Sequence, residues 1–132
     1  KLDKMNNKRI KNAKFLINKL SKFPQLELPV INTKNIKNTF YSFPIIIKKN
    51  TKINRKKFVQ FLESHGIETR AIMCGTLPDQ PSLINAPGIS FGKLINSRLI
   101  RDRGFFIGCH PLLKTESLKY VIKIFNKFFK IN

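Results

Sequence analysis

The sequence is short of acid, cysteine and tryptophan. Only 7 Asp and Glu stand against 26 Lys and Arg, a formal charge of +19. Tryptophan is absent, and Cys74 and Cys109 are the only cysteines. Two thiols without Cys-x-x-Cys spacing or a histidine cluster make neither a disulfide framework nor a metal site, so both are expected to stay reduced. No run approaches the ~20 uninterrupted apolar residues that a membrane span needs, and the opening KLDKMNNKRIKN is too polar for a signal peptide. The chain reads as soluble and cytoplasmic. It also lacks an opening methionine and starts within a helical pattern, so a piece of a longer protein is expected.

What is present is enough for one domain. The 132 residues are 42% hydrophobic and include 12 Phe, which argues for a real core and against a disordered basic tail. A basic domain attracts phosphate backbones regardless of sequence, so the charge raises a nucleic-acid reading. Composition weighs against it. Lys, Ile and Asn supply 20, 18 and 13 residues, the bias an AT-rich genome imposes through its codons. The lysines are scattered along the chain and form no stripe with interleaved aromatics, so no nucleic-acid partner is expected.

Periodicity divides the chain into elements. Met5, Ile10, Ala13, Leu16, Ile17 and Leu20 recur at three- and four-residue steps, predicting a long amphipathic helix that Pro24 stops. Residues 25–32 read as extended, and 32–39 as a polar connection. Phe40 to Lys48 is aromatic and β-branched, the pattern of a buried strand, with Pro44 implying a sheet edge or a bulge. Asn54 is a candidate cap for a helix that presents Phe58, Phe61, Leu62 and His65 and ends at Gly66. A second strand runs from Ile67 to Met73. Residues 74–92 hold three prolines and three glycines with no period, and so long an irregular stretch is usually functional. A short helix at Ser97–Arg103, a strand from Phe105 to Cys109 and a last helix capped by Thr115 follow. That last helix carries a stripe of Leu118, Val121, Ile122, Phe125, Phe128 and Phe129. The order implies a single α+β domain over 1–132: a leading helix at 2–22, then a core over 40–130 with a sheet of three or four strands covered by helices on one face.

The inventory for chemistry is thin. His65 reads as a helix-surface or capping residue, and His110 sits where a loop leaves the sheet. Arg70 lies within an apolar strand, either paired with Glu68 or Glu63 or offered to a carboxylate or phosphate. Gln80 alone would be an ordinary surface amide.

Three segments change this picture: GIETR (66–70), CGTLPDQP (74–81) and LINSRLIRDRGFFIGCHPLL (94–113). Together with the opening helix and FYSFPIII (40–47), in the same order, they resemble the C-terminal part of the DegT/DnrJ/StrS nucleotide-sugar aminotransferases. Those enzymes depend on pyridoxal 5′-phosphate (PLP). The loop and the Gly-Phe-Phe-x-Gly strand are similar to the branch that contains the ketodeoxysugar 3-dehydrases, although Thr76 stands where that branch has Asn. A hydroxyl cannot supply both an amide donor and a carbonyl acceptor.

The resemblance implies a small C-terminal domain, like those of fold-type I PLP enzymes. It would hold a nucleotide-sugar substrate and meet an amino donor such as glutamate, in deoxyaminosugar or lipopolysaccharide biosynthesis. PLP, its lysine or histidine, the acid facing the ring nitrogen and the phosphate cup would belong to a preceding domain, leaving this chain inactive alone. Lys48, at a strand terminus, is no Schiff-base candidate. The implied substrate contacts are Arg70, Gly75, Thr76, Gln80 and His110, in a homodimer. The alternatives are dehydration at C3 of a 4-keto-6-deoxy sugar within the same family, or a basic nucleic-acid-binding module outside it.

Overall fold

The periodicities of the sequence become helices and strands in close order, described here in a computed structural model over residues 1–33, 35–73, 75–83, 88 and 92–131. Helix α1 (Leu2–Leu20) leads to short strands β1 (Leu26–Glu27), β2 (Asn32–Thr33) and β3 (Ile36–Lys37), and then to β4 (Ser42–Ile47). Helix α2 (Arg55–Ser64), strand β5 (Thr69–Ala71) and a 3-10 turn (Leu77–Asp79) follow. Helix α3 (Ile95–Arg103), strand β6 (Gly104–Gly108) and helix α4 (Thr115–Ile131) complete the order. None of the described helices is long and apolar enough to cross a membrane.

The main sheet has the order β1-β4-β6-β5, with every neighbouring pair antiparallel. Strand β4 alternates cleanly, burying Phe43, Ile45 and Ile47. Antiparallel register puts Phe105 and Ile107 of β6 beside them on the same face. Helices cover that face. Ala13, Leu16 and Leu20 of α1, Phe58 and Leu62 of α2, and Leu118, Ile122, Phe125 and Phe128 of α4 share one core with it. The α+β layer with helices on one face is therefore the architecture found. The first ten residues of α1 include no fully buried side chain, although Ile10 packs against the core; full burial begins at Asn12.

Phenylalanine does much of the filling. The Phe58 ring stacks on Phe128 at 4.3 Å and meets Phe105, Phe125 and Phe129 edge-on at 5.2–5.6 Å. Local signals then fix how α2 enters and leaves. The Asn54 side chain accepts from the Lys57 N–H at 3.1 Å, as an N-cap does. Gly66, at φ +73°, turns the chain into β5. The Thr69 hydroxyl then donates to Glu63 Oε1 at 2.6 Å, tying β5 back to the helix.

Several boundaries differ from the pattern-based expectation. Strand β4 is not at an edge: β1 and β6 flank it, but β1 reaches only Ile46 and Ile47, so Pro44 lies where that side of the strand is free of β1. The polar connection at 32–39 contains a two-stranded pairing of β2 with β3. Strand β5 shrinks to three residues. Helix α3 starts two residues early, at Ile95, because Leu94 takes a left-handed φ of +47°. Thr115 is the first residue of α4 and not its cap; the Lys114 carbonyl accepts from the Leu118 N–H, so the helix begins one residue earlier than expected.

Truncating the central ring tests this packing. Phe58→Ala is expected to cost about 3–5 kcal/mol, the usual range for a fully buried aromatic. An unchanged denaturation midpoint would refute the ring's central place.

Candidate functional site

Strand register assigns side chains to the second face of the sheet. Arg70, Phe106 and Pro44 lie opposite one another on β5, β6 and β4 and so share the face away from the helical core. The edge position of β5 leaves Arg70 in solvent, its side chain 79% exposed, and this removes the burial cost that a guanidinium in an apolar strand would carry. Its Nε and Nη2 donate to Glu68 Oε1 at 3.0 and 2.6 Å, leaving Nη1 without a recorded partner among the described residues. The pairing with Glu68 is thus realised, and the pairing with Glu63 is not.

The loop after β5 is built more firmly. Gly75 has φ +50°, and a Cβ there would come within 2.7 Å of Arg101 Cγ, so the loop backbone lies directly on an arginine stem. One turn of 3-10 helix follows, closed by Asp79 N–H to the Thr76 carbonyl at 3.0 Å and Gln80 N–H to the Leu77 carbonyl at 3.0 Å. Thr76 is 1% exposed, and its hydroxyl has no hydrogen-bond partner among the described residues. A buried hydroxyl left without a partner costs on the order of 1–3 kcal/mol. Cys74 and residues 84–87 and 89–91 of this stretch lie outside the described residues.

Asp79 anchors the loop to α3. Arg98 grips it with a two-pronged fork, Nε to Oδ2 at 2.9 Å and Nη2 to Oδ1 at 2.8 Å, and Arg101 Nη1 also donates to Oδ2. The hydrogen bonds from Arg98 first, and then those from Arg101, hold the Asp79 carboxyl down at about 2. Arg101 extends the network through its Nε to Asp102 Oδ1 at 2.7 Å, which lowers that carboxyl too. Arg98 Nη1 donates to the Lys93 carbonyl at 2.9 Å, just before the left-handed Leu94. Between α3 and the turn after β4, Lys49, Lys93, Arg98, Arg103 and Asp102 border a shallow cavity of about 260 Å³.

His110 stands elsewhere. Strands β5 and β6 are antiparallel, so the 75–80 loop leaves the sheet near Gly104, whereas His110 follows the other end of β6. Six residues at ~3.3 Å each put roughly 20 Å between the two ends. There the His110 carbonyl accepts from Asn12 Nδ2 at 2.9 Å, and its Nδ1 accepts from the Leu112 N–H at 3.2 Å. Beside it, Cys109 is buried; desolvation pushes its thiol up to about 11, as suits an unreactive reduced cysteine. The expected site residues therefore divide: Gly75, Thr76 and Gln80 share one short loop, Arg70 lies on the adjoining strand, and His110 marks the far end.

With that geometry in place, comparison with known proteins is decisive, because a model of the DegT/DnrJ/EryC1/StrS aminotransferase family matches residues 1–126. The chain belongs to that family. The lipopolysaccharide biosynthesis protein RfbH of Salmonella typhimurium is 37% identical to it over 107 residues, covering 81% of this chain and 24% of that protein. The dTDP-4-dehydro-2,6-dideoxy-D-glucose 3-dehydratase of Saccharopolyspora spinosa is 29% identical over 97% of this chain and 28% of its own length. The structure of E. coli GDP-4-keto-6-deoxy-D-mannose-3-dehydratase with bound hydrated PLP superimposes with a TM-score of 0.82 and 25% identity, over 94% of this chain and 31% of that one. The chain thus spans about a quarter to a third of these family members.

The described lysines bear on PLP, which such enzymes hold through a lysine or histidine. A lysine that holds an aldehyde must be desolvated to lose its proton near neutrality, and every described lysine is exposed. Among the described residues there is also no group of three His, Cys, Asp or Glu that could hold a metal ion. The residues missed by the sequence reading are Asp79, Arg98 and Arg101. A signal was present: Asp79 is the only acid in the 74–92 stretch, and it precedes a helix rich in arginine.

Two measurements check the loop. Gly75→Ala forces a left-handed φ at about 1–2 kcal/mol on top of the contact with Arg101, and should lower the melting temperature more than Gly92→Ala, where nothing lies within 4 Å. Because the Asp79 carboxyl is depressed on folding, its stabilising contribution is complete above the ordinary value of 3.8 and vanishes only as pH falls through about 2. A carboxyl titration by NMR with its midpoint near 4 would contradict the clamp.

Proposed function

We propose that this chain is the substrate-positioning C-terminal part of a cytoplasmic, PLP-dependent enzyme acting on a 4-keto nucleotide sugar in surface-polysaccharide or deoxyaminosugar biosynthesis. The observation that carries the reading is the family match over residues 1–126. The cofactor would supply an electron sink when bound, from the part of the longer polypeptide that holds it. This chain, whose described lysines are all exposed, would be inactive alone.

The chain's own residues would bind and orient. Arg70 offers a planar, exposed guanidinium to a carboxylate or phosphate, and its remaining donors suit a two-point contact. The buried Thr76 hydroxyl supplies a hydrogen bond that awaits a polar group of the sugar, and Gly75 and Gln80 add backbone and amide contacts. His110 would touch an extended nucleotide sugar only at its far end, as a rim residue. A homodimer completes the proposal.

Between the two reactions, the 3-dehydratases among the relatives favour loss of the C3 hydroxyl over amino transfer with a donor such as glutamate. The residue beside the cofactor aldehyde, histidine or lysine, decides between them. A nucleic-acid role has less support. The described lysines spread over α1, α2 and α4 and the turns between, without a continuous aromatic-lined groove.

Arg70→Ala in the complete gene product is the test. A rise of about fivefold or more in the Michaelis constant for the sugar nucleotide or the donor is expected. Constants and turnover that all stay within about twofold would remove Arg70 from the site.

A further inference from the structure

We propose that Asp79 is a positioning residue: by bridging Arg98 and Arg101 it pins the 75–80 loop to α3 and thereby sets where Thr76 and Gln80 present themselves to the sugar nucleotide. The inference rests on the substrate-loop reading above and adds to it the device that holds the loop.

Transmission is short. Asp79 closes the 3-10 turn by donating its N–H to the Thr76 carbonyl, so a displacement of its carboxylate moves Thr76 through a single hydrogen-bonded turn. Both arginines belong to α3, one turn apart, and each has a second hold. Arg98 grips the Lys93 carbonyl at the start of the helix, and the Arg101 stem lies beneath Gly75. The loop is therefore held at Gly75 by packing and at Asp79 by charge, with Thr76 between the two points. Isolated surface ion pairs contribute little, but a fork-shaped contact within a network of several charges is the exception. Here two arginines and two aspartates balance within a chain whose net charge is +19. Removing the Asp79 charge leaves Arg98 without a carboxylate partner among the described residues and takes from the loop its ion pairs with α3, so that packing at Gly75 alone holds it there.

The experiment uses the complete gene product with bound cofactor. Asp79→Asn should speed amide exchange over residues 77–83 by about tenfold. It should also raise KM for the sugar nucleotide by about fivefold, while kcat stays within about twofold and the visible cofactor absorbance is unchanged. Arg98→Lys, a milder lesion, should give a smaller shift in the same direction. Unchanged exchange over residues 77–83 in Asp79→Asn overturns the proposal. Faster exchange with an unmoved KM upholds the clamp and instead removes the loop from substrate contact.

Discussion

Without tryptophan, and with most of its polar surface given to lysine, the chain fills its interior chiefly with phenylalanine and branched aliphatics, and the Phe58 ring is where the layers meet. It joins α2 to β6 through Phe105 and to α4 through Phe125, Phe128 and Phe129. Aromatic pairs in stacked and edge-on geometry add to simple burial and restrict rotation, so this cluster sets the angle of α2 as well as its depth. Strand β5 hangs from α2 through Gly66 and the Thr69–Glu63 hydrogen bond. The 75–80 loop begins four residues after β5 ends. The position of the candidate site is thus inherited, step by step, from a ring on the opposite side of the sheet.

Charge is distributed with a similar logic. Every ion pair among the described residues is made by an arginine, and all of them fall between residues 68 and 102. Arg55 and Arg103 donate instead to backbone carbonyls, of Gly104 and Lys48, knitting α3 and β6 to the turns around β4. Guanidinium and ammonium carry the same charge but not the same geometry: a planar fork can satisfy two acceptors at once. In a composition that runs to lysine, the arginines stand where directional donors are used. The lysines mostly clothe the surface.

Helices and their ends were legible because their signals are local. Asn54 and Gly66 bracket α2 within eleven residues, and the stripes of α1 and α4 repeat at the helical period. Strand order was not legible, since nothing in the run from Phe40 to Lys48 says that β6, some 60 residues on, will lie between it and β5. The site was half legible. Gly75, Thr76 and Gln80 could be named from the loop's resemblance to a family, but Asp79 acquires its meaning from Arg98 and Arg101, 19 and 22 residues away. For Arg70 the apolar strand demands an anionic partner, and Glu68 is one of those the sequence offers; the edge position that leaves the side chain in solvent is a property of topology alone.

The outer strands of the main sheet are stubs, two residues in β1 and three in β5, while the long hydrophobic ladders of β4 and β6 run through the middle. A neighbouring polypeptide seeking to extend such a sheet would find only a few unpaired amides and carbonyls, and on β5 a charged Glu68–Arg70 couple beside them. A domain carrying so much isoleucine and phenylalanine in its strands is in this way shielded from cross-β growth by the shortness of its rims.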